Sequence, residues 1–228
     1  MSTPIIIGLT GLAGAGKDTV ADTLCTHAGF TKIAFADALR LEVAGAFNLG
    51  DQMAILTDRA TKETPCNALR FSRCSEVRFV ERMYDKHSGE RPDFDYDEWS
   101  ATPRSPRQVM QWWGTEYRRA DEENYWTNRV AMRVLSAHPI QRWVITDCRF
   151  ANEARAIRSM GGELWQVLRP NHASVEGGHA SQNDGTYFKP EAVVLNGSTI
   201  TGLMHTTLRM LQHCHGGLIL PDDLEAAA

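Results

Sequence analysis

The sequence predicts an α/β protein, a parallel β-sheet with helices on both faces, in one domain over 1–228 that carries an insertion over about 50–104. Three observations predict it. The apolar run Ile5-Ile6-Ile7-Gly8-Leu9 reads as a strand buried on both sides, and it passes directly into a glycine-rich turn and a helix-compatible stretch, Val20 to Cys25. A second buried run, Arg142 to Thr146, ends in Asp147. Strand-like and helix-like segments alternate along the chain, the order that builds a parallel sheet.

Each element has its own warrant. Ile5 to Thr10 is the first strand, and Asp18 to His27 a helix that stops near Gly29. Thr31 to Ala36 is a short second strand ending at Asp37. Ala38 to Phe47 follows as a helix with Leu39, Val43 and Phe47 along one side. From Gly50 to about Arg104 the periodicity weakens, charges are many, and Ser88-Gly89-Glu90-Arg91-Pro92 marks a loop. This stretch is expected to be an insertion over one edge of the sheet. Ser105 to Thr115 and Glu122 to Ala137 read as helices, the first with Ser105 as cap and Pro106 in its first turn. Arg142 to Thr146 is a buried strand, and Asn152 to Met160 a helix closed by Gly161-Gly162. Glu163 to Leu168 and Ala192 to Leu195 are further strands, and Thr199 to Gln212 is the last helix.

A chain of 228 residues can bury a full core. Its 24 basic and 28 acidic residues give a net charge of −4, which offers no general attraction to nucleic acid and argues against a polynucleotide partner. The five cysteines are scattered without a C-x-x-C pair and read as reduced thiols of a cytoplasmic protein. Met1 to Gly16 lacks a basic leader, so no signal peptide is expected, and no apolar run approaches membrane-spanning length.

The most informative segment is Gly11-Leu12-Ala13-Gly14-Ala15-Gly16-Lys17-Asp18-Thr19. Its Gly-x4-Gly-Lys spacing between strand and helix fits a P-loop, in which backbone N–H groups and a helix N-terminus cradle phosphates and a lysine reaches the outer ones. The position after the lysine, usually a Mg²⁺-binding hydroxyl, is Asp18, and the hydroxyl comes one later at Thr19. A nucleoside triphosphate is the implied ligand. Ligands of such sheets sit beyond the carboxyl ends of the strands, where Asp37, Asp147 and Arg149 are also expected. A carboxylate at Asp147 can hold Mg²⁺ between the β- and γ-phosphates, and Arg149 can stabilise charge during transfer. The alternative is an Asp147 that only caps the following turn and an Arg149 paired with Glu153. A GTPase-type switch would need Asp-x-x-Gly here and Asn-Lys-x-Asp later, and neither occurs.

A third group lies between Arg104 and Trp126. Arg107, Gln111 and Gly114-Thr115 recur at helical spacing on one face. Arginine can grip a phosphate in bidentate fashion, and glutamine can read a base edge. Trp126 can stack on a base, whereas Trp112 and Trp113 each suit a core. Asp93-x-Asp95-x-Asp97 begins like a calcium loop, but Glu98 and Arg104 stand where glycine and glutamate belong. His213-Cys214-His215 reads as a helix terminus, since adjacent helical positions point apart.

Taken together these blocks resemble the deoxynucleoside monophosphate kinases encoded by tailed bacteriophages. The resemblance rests on the Gly-Lys-Asp-Thr loop, Phe35-Ala36-Asp37, Pro106-Arg107-Gln108 with Gln111, Gly114-Thr115 and Tyr125-Trp126, and Asp147-x-Arg149-Phe150 with Asn152-Glu153. A weaker block is Leu195-Asn196-Gly197-Ser198. The resemblance spans most of the chain except 50–104. It implies transfer of the ATP γ-phosphate to a deoxynucleoside 5′-monophosphate, with Mg²⁺, in the host cytoplasm if the chain is phage-encoded. By resemblance Gly11, Ala13, Gly14, Gly16, Lys17, Asp18, Thr19 and Asn196 hold ATP. Asp37, Arg70, Arg107, Gln111, Gly114, Trp126, Asp147, Arg149 and Glu153 fall to the acceptor or the transferring phosphate. Asp18 and Asp147 would hold the hydrated metal, and Lys17, Arg107, Arg149 and Asp147 form the catalytic set. Some relatives carry basic residues inside the loop where this chain has Ala13-Gly14-Ala15, so Arg149, Arg107, and Arg70 or Arg73 are candidates for the missing charge. The insertion, with Arg59, Arg70, Arg73 and Arg78, reads equally as a moving flap or a solvated helix face. Many relatives resemble dimers, and a homodimer is left open. The rival readings are a phosphomevalonate-kinase-like enzyme, which shares the Gly-Lys-Asp loop and Asp-x-Arg, and a non-catalytic nucleotide-binding module.

Overall fold

The computed structural model describes residues 4–89, 91, 93–138, 140–170, 189–197 and 199–216. In chain order its strands and α-helices are β1 (Ile6–Thr10), α1 (Lys17–Ala28), β2 (Phe30–Ile33), α2 (Phe35–Ala46), α3 (Val77–Ser88), α4 (Tyr96–Ala101), α5 (Pro106–Gln111), α6 (Tyr125–Leu135), β3 (Arg142–Ile145), α7 (Ala151–Ser159), β4 (Glu163–Leu168), β5 (Ala192–Leu195) and α8 (Ile200–Cys214). Two compact units emerge, with the divisions at Phe35/Ala36 and Trp126/Thr127.

The first unit is a five-stranded, wholly parallel sheet in the order β2-β3-β1-β4-β5. Strand alternation divides its core into two layers. Ile7 and Leu9 of β1, Val144 of β3, and Trp165 and Val167 of β4 face Val20, Leu24, Leu203 and Leu211 of α1 and α8. Ile6, Trp143, Ile145 and Leu164 face the other way, onto Val130 and Val134 of α6 and Ile157 of α7. Both faces are thus covered, as the continuous apolar character of β1 requires, and the predicted fold class is the observed one. No helix among the described residues is long and apolar enough to cross a membrane.

Several element boundaries moved by a few residues, and one of the moves has a traceable cause. The second strand was expected to run to Ala36, but β2 ends at Ile33 and α2 begins at Phe35. The cause is distant in sequence. The Phe35 N–H, an unpaired donor at the start of a helix, donates to Asp147 Oδ1 at 2.8 Å. Asp37 therefore lies in the first turn of α2, where its carboxylate accepts from Arg40 Nη1 at 2.8 Å, rather than at a strand end.

The second unit contains the pattern-poor stretch and is wider than it, running from Ala36 to Trp126. Three short 3₁₀ turns, Gly50–Leu56, Asn67–Leu69 and Phe71–Arg73, precede α3. Aromatic rings build its core: Phe79 meets Trp113 at 4.6 Å and Phe71 meets Trp99 at 4.7 Å between centroids. Arg104, only 8% exposed, donates to the carbonyls of Trp99 at 3.0 Å and Thr102 at 2.7 Å, and lies over the Phe71 ring. The Asp93-Asp95-Asp97 run is a helix start, with Asp95 accepting from the Glu98 N–H at 3.0 Å. Ser105 caps α5 as predicted, in a reciprocal pair with Gln108. Beyond Gln111 the helix widens into a π-helical stretch, Trp112–Arg119, which the sequence reading did not foresee.

Candidate phosphate-binding site

The loop after β1 has the shape that its spacing implied. Gly11 and Gly16 adopt φ of 134° and 106°. A Cβ on Gly11 would lie 2.4 Å from the Val167 carbonyl oxygen of β4, and one on Gly16 would lie 2.7 Å from Asn196 Nδ2. The backbone itself must occupy this space, which is what a cradle of N–H groups at the start of α1 requires. Lys17 folds back over the loop and donates through Nζ to the Gly11 and Leu12 carbonyls at 2.7 and 2.8 Å. Asn196, just past β5, donates through Nδ2 to the Ala15 carbonyl at 2.9 Å and ties the loop down from the far side. Ala13 and Gly14 at its crest are exposed. Ser198, named with Asn196 in the sequence, lies outside the described residues. Gly11→Ala is expected to cost about 2–4 kcal/mol, because the clash is with strand backbone that cannot yield. The urea midpoint measures it, and an unchanged midpoint would show a softer loop.

Asp18 stands in the first turn of α1, and its half-exposed carboxylate lies 3.7 Å from Lys32 Nζ. Thr19 follows, with its carbonyl accepting from the Thr23 hydroxyl at 2.8 Å.

The turn after β3 is anchored beside the end of β1. The Thr146 N–H donates to the Ile33 carbonyl at 3.1 Å, and the Cys148 N–H to the Leu9 carbonyl at 3.2 Å. Asp147 is thereby held next to the strand that feeds the glycine loop, with one oxygen on Phe35 N–H. Arg149 is exposed at this corner. Glu153, 2% exposed, accepts from the backbone N–H groups of Arg149 at 2.8 Å and Phe150 at 3.1 Å, closing the start of α7. Its carboxylate thus fixes the backbone from which Arg149 projects. Burial, with the nearby carboxylates of Glu153 and Asp147, pushes the Cys148 thiol far up.

The other candidates belong to the second unit. Arg107 and Gln111 are both exposed on α5, and Arg107 Nε pairs with Glu63 Oε1 at 2.9 Å. Gly114 does not share their face. The wider turn of the π-helical stretch carries it inward, where an added Cβ would lie 3.1 Å from Leu39 Cδ2. Trp126 is 3% exposed and donates through Nε1 to the Gly114 carbonyl at 3.1 Å, so its indole is packed in the core. Trp113 is core as expected. Arg70 Nη2 donates to Asn67 Oδ1 at 2.7 Å.

Sequence reasoning passed over Glu42. This α2 carboxylate accepts from Trp113 Nε1 at 3.1 Å, Arg118 Nε at 2.9 Å and the Tyr125 hydroxyl at 2.5 Å. Burial alone would raise its pKa, but the hydrogen bonds from Tyr125, Trp113 and Arg118 hold it below the usual carboxylate value. A depressed folded pKa gives stability that is fully present above the unfolded value of about 4.3 and lost as pH falls through the folded one. The urea midpoint of the native chain should therefore drop more steeply between about pH 5 and pH 3 than that of Glu42→Gln. Parallel curves would contradict this.

The parallel sheet, the glycine loop and its lysine define a P-loop α/β protein. No protein-family model matches the chain. It is 28% identical over 208 residues to a protein of Acanthamoeba polyphaga mimivirus named "Putative deoxynucleotide monophosphate kinase", covering 86% of this chain and 90% of that one. Among solved structures, TT1252 from Thermus thermophilus is 15% identical with a TM-score of 0.46, covering 95% of this chain and 100% of that one. The dephospho-CoA kinase from Campylobacter jejuni is 12% identical with a TM-score of 0.43, covering 91% and 96%.

Proposed function

We propose that this protein is a phosphotransferase that moves the γ-phosphate of ATP to a deoxynucleoside 5′-monophosphate, giving the diphosphate and ADP. One observation carries the reading: the Asp147–Arg149 corner is hydrogen-bonded, through Cys148 N–H and the Leu9 carbonyl, to the strand that enters the glycine loop. A triphosphate cradle and an acid–arginine pair then belong to one end of one sheet. The similarity to the mimivirus protein supports the choice of acceptor.

Phosphoryl transfer asks the protein mainly for alignment and for neutralised charge. The acceptor is already an anion, so no strong general base is needed. The loop N–H groups and Lys17 receive the triphosphate, Lys17 exchanging its loop carbonyls for phosphate oxygens. Asn196 keeps the loop in shape through Ala15. Arg149 meets the charge that develops on the transferring group, and Glu153 fixes the turn from which it projects. Arg107 and Gln111 are assigned to the acceptor's phosphate and base edge. Gly114 and Trp126 shape the stretch beside them, while Asp37 and Arg70 are further acceptor candidates. The oxygen donors Asp18 and Asp147 suit a hard divalent cation, and Mg²⁺ held there would supply positive charge to the phosphates.

A coupled assay of ADP release with dGMP, dTMP, dCMP, dAMP, modified pyrimidine monophosphates and phosphomevalonate tests the proposal. Turnover confined to deoxynucleotides is expected. Turnover with phosphomevalonate alone, or ATP binding without any product, would overturn it.

A further inference from the structure

We propose that Glu42 is a positioning residue for the acceptor-binding stretch, holding the π-helical turn of residues 112–119 in the register that sets Gln111 and Gly114. This rests on the functional reading above. Glu42 is partly buried, its side chain 18% exposed, and gathers three donors from two other segments. Trp113 and Arg118 lie near either end of the π-helical stretch, and Tyr125 opens α6. Arg118 is itself fixed, its guanidinium 4.5 Å from the Tyr117 ring centroid and 5.1 Å from that of Tyr125. Next to Tyr125, Trp126 closes the frame by donating to the Gly114 carbonyl.

A π-helical turn has poorer intrinsic geometry than an α-helical one and persists where side chains impose it. Here Glu42 imposes it from outside the helix. With the anchor gone, relaxation toward α-helical spacing would rotate Gly114 and the residues around it relative to Gln111. The glycine loop is built in the first unit, from Lys17 and Asn196, so ATP binding should not register the change.

Glu42→Leu tests the idea, because it removes both oxygens that accept from Trp113, Arg118 and the Tyr125 hydroxyl, whereas the amide NH₂ of a glutamine can donate to that hydroxyl and keep the frame. The KM for the deoxynucleotide is expected to rise about tenfold, with the KM for ATP within about twofold. Amide exchange should accelerate across residues 112–126 and not across 11–19. Glu42→Asp should recover part of both effects, and Trp113→Phe, which deletes one donor but keeps an aromatic ring, should act in the same direction should Glu42→Leu fail to fold. Equal shifts in both KM values, or unchanged exchange over 112–126, would overturn the proposal. Should the wild-type chain turn over no deoxynucleotide, the functional reading falls, and the exchange measurement alone decides whether Glu42 anchors the turn.

Discussion

Lys17→Ala should lower turnover by about 10²-fold or more while leaving the protein folded. The ammonium is the cation built into the loop itself, held on the Gly11 and Leu12 carbonyls at 2.7 and 2.8 Å. The stretch before it is Ala13-Gly14-Ala15, so little in the loop can substitute for it. Stability should suffer little, since the crest of the loop is exposed and water can take the vacated carbonyls. Coupled kinetics together with a thermal melt separate the two effects. Activity within tenfold of wild type, in a folded variant, would remove Lys17 from the mechanism.

Arg149→Ala should lower kcat by about 10²-fold and leave ATP affinity within about twofold. The reason is positional. Arg149 is an exposed cation on a turn whose backbone is fixed by Glu153, whereas the proposed triphosphate cradle is made by the loop and α1. A group that meets charge only as it develops affects the transition state more than the ground state. Arg149→Lys keeps the charge but loses the planar fork, and should fall between the two. Equal losses in kcat and ATP affinity would show that Arg149 serves donor binding instead.

What the sequence showed and what it hid divide along physical lines. β1, the glycine loop and α1 were legible because each depends on neighbours in the chain: an apolar run, a spacing, and a helix stop at Gly29, which indeed takes φ of 67°. Ser105 and Gln108 were equally local. The start of α2 was not, because its first N–H is capped by Asp147 from 112 residues away. Nor was the π-helical turn, whose register depends on Glu42 reaching Trp113 across 71 residues. α3 could have been found: Phe79, Val80 and Met83 are buried at helical spacing, but the charges around them masked the stripe. For the candidate site the residue types were readable, while the partners that orient them were not. Glu153 is the clearest case, a carboxylate whose Oε2 accepts from two backbone N–H groups of the turn that carries Arg149.

The thiol of Cys148, enclosed between Asp147 and Arg149, has a consequence for handling and for chemistry in the cell. Peroxide and alkylating agents attack the thiolate, and here ionisation is suppressed by burial and by two adjacent anions. The turn that carries Asp147 and Arg149 is thereby insulated from oxidants. Maleimide dyes or spin labels should spare Cys148 and reach the exposed Cys214, which gives a reporter handle at the end of α8, although burial and Glu163 raise that thiol too and slow its labelling.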